Sequence, residues 1–144
     1  MQYRASASVR SFNVNVDWIP AEIGGDKPAF VLMVRPERGR FHVVDPSTRR
    51  MLVVGPSDFG FSVAGSARFQ EFVNGDKTRP VVVLFSSWPT GLTEQDVRSL
   101  AAGLRGDGVQ RPVFLAVGPL GFNGGGRRRW SRFRRVSASV VVRV

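Results

Sequence analysis

The 144-residue chain has no cysteine and only one histidine, His42. Without cysteine there can be no disulfide, no thiolate nucleophile and no thiolate ligand for a metal. A single histidine also excludes a histidine-rich metal site, so we expect neither a metal nor a cofactor. Lysine is rare, since Lys27 and Lys77 are the only ones, and arginine supplies almost all of the positive charge.

Long apolar runs are absent too. No segment approaches the roughly 18 apolar residues of a membrane-spanning helix, and residues 1–20 lack the continuous apolar core of a signal peptide. We therefore expect no membrane span and a soluble protein, located in the cytoplasm or secreted as part of a larger chain. The length and the hydrophobic fraction of 42% fit one α/β domain over residues 1–144.

The clearest pattern in the chain is a strand, a helix and a second strand. Residues 80–85 and 112–118 are continuous apolar runs, which are typical of strands buried on both faces. Between them Thr93 precedes Glu94 and Asp96, which predicts a helix N-cap followed by first-turn acids. Apolar residues at i, i+3, i+4 and i+7 then form one helical face: Val97, Leu100, Ala101 and Leu104. We predict a βαβ unit with parallel strands.

The remaining segments predict shorter elements around this unit. Residues 3–16 predict one long bent strand or a hairpin, residues 29–34 a buried strand, residues 40–44 and 51–54 two strands joined by a turn, residues 62–74 a short helix, and residues 136–144 a C-terminal strand. The predicted fold class is α/β: a three-layer-like mixed sheet with a central βαβ unit, few short helices, and N- and C-terminal strands.

The C-terminal part of the chain is strongly basic, because residues 108–144 contain no Asp or Glu. One segment of it, which we call the basic tract, combines guanidinium groups with two aromatic rings: Arg127, Arg128, Arg129, Trp130, Arg132, Phe133, Arg134 and Arg135. Cations neutralise phosphates and aromatic rings stack on bases, so the tract predicts an anionic partner, either nucleic acid or an acidic protein surface. The alternative is a strand whose aromatic rings pack on the sheet while the arginines stay in water.

Residues 79–91, the helix after them and residues 111–119 resemble the nucleophile region of caspase-like (clan CD) cysteine-peptidase domains. They are similar in particular to the single-cysteine domains of large actinobacterial polymorphic-toxin-type proteins. Those domains also end in a Gly-rich turn and a Trp-x-x-Phe hairpin, which Trp130 and Phe133 match here.

The resemblance also implies where the catalytic positions fall. The His-Gly position corresponds to Val34 and Arg35, and the nucleophilic cysteine position to Ser87. We therefore expect a catalytically inactive domain that acts as a binding or structural module of a larger bacterial, toxin-associated protein. The same resemblance predicts that Val34 and Ser87 lie at the carboxyl ends of core strands that are adjacent or one apart.

Two other functions compete with this hypothesis. One is a nucleic-acid-binding module that uses the basic tract. The other is a serine-dependent hydrolase with Ser87 as nucleophile and His42 as base, although no G-x-S-x-G elbow surrounds the serine and His42 falls within a predicted strand.

Overall fold

The computed structural model describes residues 4–5, 10–16, 18–36, 38–45, 47–85, 91–106, 110–117, 121–123, 135–137 and 140–144. These residues form two sheets, three α-helices and a short 3-10 turn at Ala21–Ile23. The strands are β1 (Arg4–Ala5), β2 (Arg10–Val16), β3 (Ala29–Met33), β4 (Phe41–Val44), β5 (Met51–Val54), β6 (Val81–Phe85), β7 (Val113–Val117), β8 (Gly121–Asn123), β9 (Arg135–Ser137) and β10 (Val140–Arg143). The helices are α1 (Pro56–Ala64), α2 (Ala67–Val73) and α3 (Glu94–Arg105).

The βαβ unit is confirmed. Strands β6 and β7 pair in parallel along their whole length, and every residue of both is buried. Helix α3 begins with a reciprocal cap, in which Thr93 Oγ1 accepts from the Asp96 N–H at 3.1 Å and the Asp96 carboxylate accepts from the Thr93 N–H at 3.0 Å. Leu100, Ala101 and Leu104 are buried against the sheet, and Val97 is partly buried.

The main sheet is mixed and has the order β10-β7-β6-β3-β2-β9-β8. β3 pairs in parallel with β6, whereas β2 and β10 pair antiparallel with β3 and β7. All three α-helices pack on one face of the central strands. On the other face, Val16 of β2 and Ile19 pack with apolar residues of β3, β6 and β7, and the Trp18 ring meets Phe114 edge-on at 5.6 Å. The predicted α/β fold class is confirmed.

A second sheet of three strands has the order β1-β4-β5 and packs against α1. The expected turn joins β4 to β5, and Asp45 organises it by accepting hydrogen bonds from the Ser47 N–H at 2.9 Å and the Ser47 hydroxyl at 2.7 Å. The prediction of a hairpin over residues 3–16 is wrong, because β1 joins this small sheet and β2 the main one. The alternative, one long bent strand, stays a prediction, since residues 6–9 lie outside the described residues.

The prediction of one strand over residues 136–144 is also wrong, since β9 pairs with β2 and β8 while β10 pairs with β7. Only residues 138 and 139 separate β9 from β10, so the Cα atoms of Ser137 and Val140 lie within about 11 Å. A flat sheet in this order would hold β9 and β10 about 24 Å apart. The main sheet must therefore be strongly curled.

The helix predicted over residues 62–74 is in fact two helices. α1 ends at Ala64, and α2 begins after Ser66, whose hydroxyl accepts from the Phe69 N–H at 3.3 Å and donates to the Val63 carbonyl at 2.7 Å. Because the serine bonds to both helices at once, it fixes the corner between them.

Candidate functional site

Parallel strands β3 and β6 are neighbours, so their carboxyl ends share one edge of the sheet, which we call the carboxyl edge. Val34 follows β3 directly, is 3% exposed, and donates its N–H to the Leu84 carbonyl of β6 at 3.1 Å. In open α/β sheets this edge is where ligands bind. Ser87, two residues beyond β6, lies outside the described residues, so its distance from Val34 stays a prediction.

Two loops meet main chain to main chain at this edge. Gly39 and Gly91 both have positive φ, 74° and 84°, and a β-carbon on Gly39 would lie 2.4 Å from the Gly91 carbonyl oxygen. Arg38, at φ 51°, adopts the left-handed conformation that is uncommon outside glycine. Close contact between the loops therefore fixes the backbone from which Arg38 projects.

Three exposed arginines, Arg35, Arg38 and Arg40, lie in the segment that runs from β3 into β4, and we call them the edge arginines. In the part of the chain that the structure describes, none of them forms an ion pair with a carboxylate. Exposed guanidinium groups offer forked donors that match a carboxylate or a phosphate. From the sequence, only Arg35 was assigned to a mapped position, as the replacement of a family glycine. Arg38 and Arg40 were not predicted to belong to a site.

The structure describes only the last residue of the basic tract. Arg127, Arg128, Arg129, Trp130, Arg132, Phe133 and Arg134 lie outside the described residues. Its last member, Arg135, begins β9, where its backbone is opposite Asn15 of β2 and Asn123 of β8. The tract thus leads into a strand, and whether its side chains bind a ligand stays a prediction.

The proposed base of the serine hydrolase, His42, lies on β4 opposite Val53 of β5, in the small sheet. Its proposed partner, Ser87, lies outside the described residues, so the pair is untested. No group of three or more His, Asp or Glu side chains that could hold a metal occurs in the described ranges. Within those same ranges no helix is long and apolar enough to cross a membrane.

At the opposite, amino edge of the sheet, arginines have a structural role. Arg79 and Arg111 each precede a proline and a buried strand, and each stacks on a ring of α2: Arg79 on Phe72 at 5.4 Å and Arg111 on Phe69 at 4.8 Å. Arg111 is 5% exposed, and burial lowers the pKa of its guanidinium. These two arginines pack against aromatic rings of the helix layer, in contrast to the edge arginines.

The amino edge also carries an ion pair between Lys27 and Asp76, which lie just before β3 and β6. The hydrogen bond from Lys27 lowers the pKa of the Asp76 carboxyl well below its ordinary value, and hydrogen bonds from Thr78 add to the effect. This pair links the starts of the two parallel strands whose other ends form the carboxyl edge.

We predict that acid weakens the fold partly through Asp76. Because its pKa is lower in the folded chain, its stabilisation is complete above about pH 4, the unfolded value, and is lost as the pH falls towards the folded value. Asp76→Asn and Lys27→Met should each flatten this loss, measured as the urea midpoint between neutral and acidic pH. Acid profiles that match wild type in both variants would show that the pair does not contribute.

The described carboxyl edge thus combines a buried apolar residue, Val34, with exposed cations. Comparison with models of known protein families, with curated proteins and with solved structures finds no match to this chain.

Proposed function

We propose that this chain is a catalytically inactive, caspase-like α/β domain that binds an anionic partner protein, as a module of a larger bacterial protein. The observation that supports binding most directly is the group of edge arginines, which are exposed in the segment after β3 and have no carboxylate partner among the described residues. The adjacency of β3 and β6 supports the caspase-like mapping.

The residue types at the mapped catalytic positions account for the lack of catalysis. Val34 cannot accept a proton, and Arg35 places a cation where the family has glycine. A serine hydroxyl without a base stays protonated and is a poor nucleophile, so Ser87 cannot replace a cysteine thiolate. What remains at this edge is a binding surface with positive charge.

The first test varies charge at two places by the same amount. Arg35→Gln/Arg38→Gln changes the carboxyl edge, and Arg127→Gln/Arg128→Gln changes the basic tract. Fluorescence anisotropy would follow binding of labelled poly-glutamate and of single- and double-stranded oligonucleotides over a salt series. We expect the edge variant to weaken poly-glutamate binding several-fold, because each lost contact between exposed charges contributes about 0.2–1 kcal/mol, and the tract variant to change it little.

The opposite pattern would overturn the proposal. If oligonucleotides bind, and the tract variant lowers the log–log salt slope by about 0.7–0.9 for each lost phosphate contact while the edge variant does not, the chain is a nucleic-acid-binding module. Peptide-hydrolysis assays are expected to show no turnover in the wild-type chain. Turnover that is lost in Ser87→Ala or in His42→Ala would establish the serine hydrolase instead.

A further inference from the structure

The outer face of the small sheet carries an apolar strip. Met51 and Val53 of β5 are 56% and 59% exposed, and their direct cross-strand partners on β4, Val44 and His42, are half-buried on the same face. The alternate residues, Leu52 and Val54, pack towards the core instead. A strand with an apolar side chain on both of its faces is unusual at the surface, where polar residues normally alternate with apolar ones.

The main chain of the same two residues is also unpaired on one side. Asp45 donates its N–H to the Arg50 carbonyl at 2.9 Å, so these residues form a hydrogen-bonded pair of the β4–β5 ladder. Hydrogen-bonded and non-hydrogen-bonded pairs alternate, so Met51 and Val53 are non-hydrogen-bonded and direct their N–H and C=O groups away from β4. β5 ends the order β1-β4-β5, and no described strand pairs with that side.

Natural sheets protect such edges with proline, with a bulge or with a charged residue inside the strand. β5 reads Met51-Leu52-Val53-Val54 and has none of these. Met51 and Val53 therefore present an apolar side chain and free main-chain donors and acceptors together, which is what an added strand recognises.

The charges around β5 indicate the chemistry of that strand. Arg49 and Arg50 are exposed immediately before β5, and the guanidinium of Arg40 lies beside Gly55, just after it. The nearest carboxylate in the turn, Asp45, is 6% exposed and already bonded to Ser47. A second copy of this chain, of net charge +10, would bring the same arginines to the same edge and be repelled. An acidic strand would be attracted.

We infer that the free edge of β5 docks an extended acidic segment of a partner protein. The segment adds as a further strand, forms main-chain hydrogen bonds to Met51 and Val53, packs alternate apolar side chains on the strip, and places carboxylates at Arg49 and Arg50. This site shares Arg40 with the edge arginines but does not include Arg35 or Arg38, so Arg35→Gln/Arg38→Gln tests the carboxyl edge without changing the site on β5.

The test uses the full chain and a labelled synthetic peptide in which isoleucines at alternate positions are flanked by glutamates. Val53→Pro removes the outward N–H and leaves the bonds to β4 in place, whereas the matched control Val53→Thr keeps both the N–H and the branched shape. We expect Val53→Pro to weaken binding about tenfold or more and Val53→Thr to change it much less. Arg49→Gln/Arg50→Gln should weaken binding and lower its salt dependence.

Hydrogen exchange in the wild-type chain gives a second measurement that does not depend on whether the proline variant folds. Adding the peptide should slow exchange at the amides of Met51 and Val53 and leave those of Leu52 and Val54, which already face β4, unchanged. Uniform protection of all four amides, or equal binding by folded Val53→Pro, would overturn the inference. Two further results would also overturn it: equally tight binding of a control peptide in which lysines replace the glutamates, or a dimer of the free chain that Val53→Pro abolishes.

Discussion

Replacing Phe59 by alanine is expected to lower the free energy of unfolding by about 3–5 kcal/mol, the range for deleting a buried aromatic ring. Phe59 is fully buried in α1, and its ring stacks on Phe41 of β4 with centroids 4.3 Å apart and planes 13° from parallel. The substitution opens a cavity and also removes a contact that joins the small sheet to the helix layer. Urea denaturation followed by circular dichroism measures the loss.

The same helix provides the control. Phe61 lies two residues further along and is 52% exposed, so Phe61→Ala deletes an identical ring from a surface position. Its effect should stay within about 0.5 kcal/mol, as for most surface substitutions. Equal losses in the two variants would mean that the packing of Phe59 on Phe41 adds nothing. Because β4 pairs with β5, Phe59→Ala should also loosen the strand proposed to dock the acidic segment.

The βαβ unit could be predicted because several independent signals agree there. Two continuous apolar runs, a capping threonine with acids behind it, and one helical apolar face all indicate the same elements. The structure confirms each of them, down to the reciprocal bonds between Thr93 and Asp96. A segment can be predicted from its sequence when its local signals agree with the global fold.

Helix α1 was missed because its sequence disfavours a helix locally. It begins with Pro56 and carries Gly60 in its middle, and glycine costs about 1 kcal/mol in a helix interior. Tertiary contact explains the glycine, since a β-carbon there would lie 2.6 Å from the Leu100 carbonyl oxygen of α3. The close packing of two helices, which the sequence does not show, selects a residue that propensity opposes.

The prediction of one C-terminal strand was wrong for a different reason. Valine or alanine occupies every even position from residue 136 to residue 144, and no glycine or proline interrupts the segment, so no local signal marks a break. The break arises from pairing, because β9 joins β2 and β10 joins β7 on the other side of a curled sheet. Register and partner choice depend on distant strands, which periodicity alone does not encode.

The sequence shows the edge arginines but gives no reason to prefer them over the other arginines of the chain. Arg35, Arg38 and Arg40 stand close together in sequence, yet a chain whose positive charge is nearly all arginine contains many such groups. What distinguishes them is topology, which brings the end of β3 beside the end of β6, and the contact of Gly39 with Gly91. A site on loops is defined by the strands that carry the loops to one edge.

The surface of β5 illustrates the same limit. The short apolar run at residues 51–54 predicts a strand but not which side of it stays unpaired. That depends on the hydrogen bond from Asp45 to Arg50, which sets the phase of the whole β4–β5 ladder. One bond at the turn thus decides that the main-chain N–H and C=O groups of Met51 and Val53 point away from β4.

The second large effect is expected from Leu100→Ala, which should cost about 2–5 kcal/mol of unfolding free energy. Leu100 is 2% exposed on the face of α3 that packs on the sheet. The cost of such a change depends on how far the surroundings can collapse into the cavity. Here α1 cannot move closer, because Gly60 already lies against the Leu100 carbonyl oxygen. We therefore expect a value in the upper half of that range.

Gln95→Ala tests the assignment on the same helix, because Gln95 is exposed in the first turn of α3 and its truncation leaves no cavity. It should leave the free energy of unfolding within about 0.5 kcal/mol of wild type, measured by urea denaturation. A loss below about 2 kcal/mol in Leu100→Ala would show that α1 and α3 do close over the cavity. The main-chain contact at Gly60 would then be flexible, and α1 would move towards α3 when the leucine side chain is removed.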